Sequence, residues 1–203
     1  MVPFFTRYRH LALHETRCAL VPEHAELPAG QYGFLDLHCD DPRCDCRIVI
    51  LQVVSADSSR EVWATIDYGW ETAELCQKRR HDPEEAWCCG TARLSLGDPQ
   101  TERSPALLRL FRRMVTDWQY AACLRRHYLQ FKQAVRAEAI GQRRPPYAGH
   151  AHRWCRGGCP WAHARRSGGR TTDTAALRRW LRGWRDRGWG WPAQEYAPRP
   201  QGC

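Results

Sequence analysis

Apolar positions in the first seventy residues recur with the period of strands. Tyr32 to Cys39 alternates, with Phe34, Asp36 and His38 on one face and Leu35, Leu37 and Cys39 on the other. Ile48-Val49-Ile50-Leu51 and Val53-Val54 form a nearly continuous β-branched run. That pattern predicts a central strand covered on both faces. Val62 to Tyr68 reads as the next strand, and Arg17 to Val21 as a shorter one before them. Leu27-Pro28-Ala29-Gly30 and Asp40-Asp41-Pro42-Arg43 carry turn chemistry. Connections this short favour an antiparallel meander.

The period changes after residue 100. Ser104 is the expected N-cap of a helix with Pro105 at its first position and Leu107, Leu108, Phe111, Met114 and Val115 on one stripe. Asp117 is placed to cap a second helix. Its apolar stripe is Tyr120, Leu124, Phe131 and Val135, and it stops near Gly141. Strands followed by helices predict an α+β fold, a small antiparallel sheet of three or four strands covered on one face by a C-terminal helical hairpin.

Charge divides the 203-residue chain. Positions 141–203 hold 13 arginines, no lysine and three acids, a net +10, while the remaining 18 basic and 19 acidic residues nearly cancel. The expected division is a body, 1–141, and a basic Arg/Trp-rich tail, 142–203, irregular except for an amphipathic helix at about 174–187. That helix would place Leu177, Trp180, Leu181 and Trp184 opposite Arg178, Arg179, Arg182 and Arg185. Arginines interleaved with tryptophans suit nucleic acid or another polyanion. The same composition is expected of a reading frame that has slipped past the second helix.

No apolar run approaches the length of a membrane-spanning helix, and the first residues lack a basic stretch followed by an apolar one. Eleven cysteines, an odd number, then point to reduced thiols or metal ligands in a cytoplasmic protein rather than to a disulfide framework.

Three of those cysteines, Cys39, Cys44 and Cys46, fall within eight residues at a predicted hairpin. A structural zinc takes four soft or borderline ligands. These thiols supply three, and His38 is a candidate fourth if the strand twists enough to bring it round. Cys76, Cys88 or Cys89 are alternatives. Ordinary buried thiols are the competing reading. A thiol-dependent enzyme pairing Cys44 or Cys46 with His38 is another, disfavoured by Asp40, Asp41 and Asp45, which oppose a further anion. A weaker second group, His152, Cys155, Cys159 and His163, spans twelve residues of the tail with no standard finger spacing. His127 fits the core stripe of the second helix better than the role of a catalytic base. No phosphate-binding glycine loop, HExxH or GxSxG is present.

Leu27-Pro28-Ala29-Gly30-Gln31-Tyr32-Gly33-Phe34, the Cys39/Cys44-Asp45-Cys46-Arg47 run and Ala64-Thr65-Ile66-Asp67-Tyr68-Gly69-Trp70-Glu71 resemble an uncharacterised bacterial protein family. Asp98-Pro99-Gln100, Leu107-Leu108 to Phe111 and Arg126-His127-Tyr128 to Lys132 extend the resemblance over about residues 10–137. Members of that family often end in a SEC-C motif, a small cysteine-rich zinc module, which this chain lacks. The resemblance implies a zinc-associated protein and brings no catalytic residues. The expectation is a non-catalytic binding or adaptor protein.

Overall fold

The computed structural model describes residues 1–23, 26–56, 61–72, 74, 90–141 and, for the backbone, 194–195. The chain is α+β. Its strands are β1 (Val2–Pro3), β2 (Cys18–Val21), β3 (Gly30–His38), β4 (Ile48–Ser55), β5 (Val62–Gly69), β6 (Ala92–Leu94) and β7 (Gln194–Glu195). Its α-helices are α1 (Arg9–Glu15), α2 (Ser104–Met114) and α3 (Trp118–Gly141), with a 3-10 turn at Phe4–Thr6.

One sheet has the order β6-β5-β4-β3-β2-β7, and β1 pairs with β3 off that path. β2 to β5 form the expected antiparallel meander, and β6 extends it antiparallel to β5. In the central pairing Leu37 lies opposite Ile50 and Tyr32 opposite Ser55, so residues 39–47 connect the two longest strands. The expected three or four strands correspond to β2, β3, β4 and β5. The additional strands span two or three residues each, too few for alternation to register. β7 is the parallel neighbour of β2.

All eight residues of β4 are buried, as a continuous β-branched run requires when both faces are covered. Tyr32 and Phe34, Val49, Leu51 and Val53, and Ala64, Ile66 and Tyr68 share one core with Leu107, Leu110, Phe111 and Met114 of α2 and with Tyr120 and Leu124 of α3. Phe111 is the hinge of this packing, with its ring 5.9 Å from Phe34, 5.5 Å from Tyr68 and 6.2 Å from Tyr120. α2 lies against β5 and β6, whereas α3 runs over β3 and β4. Farther along α3, Phe131 and Val135 join Phe4, Phe5, Leu13 and Leu35 in a second cluster.

Two local expectations resolve differently. Ser104 is not the cap of α2; it is the first helical residue after an Arg103 cap. Its hydroxyl donates to the Trp63 carbonyl (2.9 Å) and accepts from the Thr101 N–H (2.8 Å). The serine therefore ties the helix to β5. Asp117 does cap α3, its Oδ1 accepting from the Gln119 N–H at 2.9 Å. Asp98-Pro99-Gln100 has a structural role as well. The Gln100 side-chain amide donates to the Thr65 carbonyl (2.8 Å) and its oxygen accepts from the Thr65 N–H (3.3 Å) beside β5.

Among the described residues, no helix is long and apolar enough to cross a membrane. The expected tail helix, Cys76, Cys88 and Cys89, and the group His152, Cys155, Cys159 and His163 lie outside the described residues.

Candidate metal centre

The loop from Cys39 to Arg47 leaves β3 and returns as β4. Asp41 opens a tight turn, with its Oδ1 accepting from the Arg43 N–H (2.9 Å) and its carbonyl from the Cys44 N–H (3.2 Å). Asx turns of this kind are why aspartate is favoured at such positions. Arg47 closes the loop in the left-handed region, at φ 47°. α3 clasps the loop from the side. The Tyr128 hydroxyl accepts from the Arg47 N–H (3.3 Å), Lys132 Nζ donates to the Asp41 carbonyl (2.9 Å) and Arg136 Nε donates to the Pro42 carbonyl (3.3 Å). On the outer side, Arg47 pairs with Glu71 (2.9 Å) and Asp45 (3.2 Å).

This folding gathers three sulfurs. The Sγ atoms of Cys39, Cys44 and Cys46 lie within 4.8 Å of one another. Their residues are 0%, 0% and 6% exposed. A tetrahedral zinc with Zn–S near 2.3 Å would need S···S separations of about 3.8 Å, so modest side-chain rotation closes the set on one ion. Leu37, Ile48, Ile50 and Tyr128 form the apolar wall around the sulfurs. Burial, then the neighbouring Cys46 and Asp45, push the Tyr128 hydroxyl pKa well up, so it stays protonated.

His38 does not join these sulfurs. Neighbouring side chains on a strand face opposite ways, and that of His38 goes to the helix side. There its Nε2 lies 2.9 Å from Asp36 Oδ2, and its ring packs on Phe131 at 5.3 Å. Its Nδ1 has no hydrogen-bond partner. Burial lowers the His38 pKa, with Asp36 opposing, which favours a neutral ring donating from Nε2.

Asp36 Oδ2 also accepts from His127 Nδ1 at 2.8 Å. On the far side of that imidazole, Nε2 meets Glu15 Oε2 at 2.6 Å and Cys123 Sγ at 3.5 Å. Arg126 Nη2 reaches the same Glu15 oxygen at 2.6 Å. Phe4 stacks on the His127 ring at 3.9 Å with an interplanar angle of 9°. Burial works to lower the His127 pKa, but the hydrogen bonds to Asp36 and Cys123 outweigh it and bring it up to about 10. Asp36 is buried, which would raise its pKa; the two histidines instead hold it well below the usual carboxylate range. Glu15 is likewise lowered, by His127 and Arg126 against its own desolvation.

His127 is thus a core histidine with polar partners on both nitrogens, in keeping with its place on the apolar stripe. The network around it was not legible as a site. Only the four-residue spacing of Cys123 and His127, which puts both on one helix face, signals it in the sequence. No protein-family model, curated protein or solved structure matches this chain.

Proposed function

We propose that Cys39, Cys44 and Cys46 hold one zinc ion, and that the chain works as a non-catalytic, zinc-associated binding or adaptor protein of the bacterial cytoplasm. The observation that carries this reading is the convergence of three buried sulfurs between consecutive strands. Deprotonated thiols in a buried place need a compensating cation, and a divalent ion supplies it. In that setting Lys132, buried against the same loop, offsets part of the remaining charge. The fourth coordination position falls to another cysteine or histidine of the chain or to water. The resemblance to a family of chains bearing zinc modules supports the same reading.

A thiol enzyme built on Cys44 or Cys46 with His38 has less support. The thiols are buried, and the His38 Nε2 is engaged with Asp36. Elemental analysis of full-length protein purified without chelator tests the proposal. At least one zinc per chain is expected, with one equivalent lost in Cys44→Ser. Less than about 0.3 zinc per chain in a folded sample overturns it. Alkylation separates the enzyme reading. Zinc-bound thiols label slowly until chelator and denaturant are added, whereas a catalytic thiolate labels fast near neutral pH.

A further inference from the structure

A second group of metal-ligating atoms stands apart from the cysteine loop. Glu15 Oε2 at the end of α1, Cys123 Sγ and His127 Nε2 on α3 lie within 4.8 Å of one another. We propose that these three atoms form a second site for a zinc-like divalent ion, with Asp36 holding the histidine from behind.

The distances carry the argument. A tetrahedral zinc with metal–sulfur near 2.3 Å and metal–nitrogen or –oxygen near 2.0–2.1 Å needs S···N and S···O separations of about 3.6 Å and an N···O separation of about 3.3 Å. The observed S···N is 3.5 Å and the observed S···O is 3.7 Å. The N···O pair, at 2.6 Å, is the short one, a hydrogen-bond distance. Glu15 is a quarter exposed and ends its helix, so withdrawing its carboxylate by less than about 1 Å opens the third edge.

The support behind the histidine is the second observation. A metal-binding imidazole nearly always donates its other N–H to a carboxylate, a backbone carbonyl or water, which fixes the tautomer and orients the ring. His127 Nδ1 meets Asp36 in that way at 2.8 Å, and Phe4 packs flat against the ring face. Charge is conserved too. With His127 protonated, Asp36 and Glu15 face two cations, His127 and Arg126. A divalent ion that displaces the Nε2 and Sγ protons to solvent leaves the net charge of the cluster unchanged.

The same atoms contain a thiol–imidazole–carboxylate line, Cys123–His127–Asp36. A nucleophilic pair would need Nε2 directed at the sulfur, but Glu15 Oε2 lies closer to it than Cys123 does. Three donors converging on one point suit a cation better than a proton relay. Arg126 occupies the outer side, its Nη2 3.5 Å from the sulfur. Its side chain is 48% exposed and free to swing toward solvent when an ion enters.

Cobalt titration of chelator-treated full-length protein tests the site. Bound cobalt is counted after equilibrium dialysis, and thiolate-to-cobalt charge-transfer absorption marks cysteine ligation. Cys123→Ser is expected to lose one equivalent and its share of that absorption, with far-ultraviolet circular dichroism unchanged. Glu15→Gln should weaken the same equivalent by at least about tenfold, and Arg126→Gln should tighten it. Should Cys123→Ser fail to fold, the two other variants still decide. Unchanged stoichiometry and absorption in Cys123→Ser and Glu15→Gln overturn the second site, and the loss in Cys44→Ser is read separately for the first.

Discussion

Asp36 and His127 meet at 2.8 Å across 91 residues of sequence, joining the middle strand of the sheet to the helix that covers it. The carboxylate is buried and accepts from a second imidazole, His38, through the same oxygen. A buried carboxylate without such donors would be protonated or strongly destabilising. Here two rings and the Glu15–Arg126 pair beyond them make a chain of polar groups from the core to the surface. The same groups should set the pH range in which the fold is strongest.

For chelator-treated protein the sign follows from the shifts. His127 is raised from the ordinary 6.5 to about 10. Its contribution is therefore complete below the unfolded value and is lost as pH climbs through the folded one. Asp36 and Glu15 are lowered, so their contributions hold above the ordinary carboxylate range and fade in acid. His38 is lowered by burial, and its protonation on unfolding adds to the acid loss below about 6.5. Stability should peak near neutral pH. Urea midpoints of the wild type should fall between about pH 7 and 10, and His127→Gln should lack most of that slope. Other alkaline effects, such as ionisation of the buried Cys18 thiol on unfolding, are common to both proteins and cancel in the comparison. Parallel slopes would remove His127 as the source.

The tail makes a separate prediction from charge alone. Its net +10 should bind a random oligonucleotide with an affinity that falls steeply with salt, whatever the base sequence. Replacing Arg178, Arg179, Arg182 and Arg185 together by Gln in the full chain should reduce the log–log salt slope by up to about 3 on single strands. Fluorescence anisotropy between about 50 and 200 mM salt reads this directly. A full chain that does not bind at low salt, or an unaltered slope in the variant, would rule out the tail as the polyanion-binding segment.

The legible parts of this protein were those written locally. β4 announced itself through six β-branched or leucine residues in seven, and α2 and α3 through stripes that the core uses nearly unchanged. The cysteine cluster was legible because all three thiols sit in one loop, whose turn residues bring the sulfurs together. Assigning His38 to it failed on strand alternation, which already placed Cys39 on the opposite face. The misassigned cap has a similar origin. Ser-Pro reads as a helix start, yet the Ser104 hydroxyl is held by Trp63, 41 positions earlier. The Glu15–His127 contact spans 112 residues, and no local pattern encodes a partner at that distance.

Lys132 gives the sharpest test of how helix and cysteine loop depend on each other. The residue is 2% exposed, a rare position for a lysine, and its Nζ donates to the Asp41 carbonyl at 2.9 Å. Its stem passes beside the Tyr128 ring, with Nζ 6.0 Å from the centroid. Lys132→Met keeps most of the volume while removing both the donor and the charge. The Asp41 carbonyl then keeps only the Cys44 N–H, at an expected cost of about 0.5–1.5 kcal/mol. On the proposed zinc site the loop also loses the ammonium bonded to its Asp41 carbonyl, so zinc should dissociate from Lys132→Met faster than from the wild type. Arg136→Ala is the control, since it removes a donor to the adjacent Pro42 carbonyl from an exposed side chain and should change stability by no more than about 0.5 kcal/mol. Urea unfolding, together with zinc release to a colorimetric chelator, measures both effects. Equal stability and equal release rates in the two variants would show that the buried ammonium does not hold the loop.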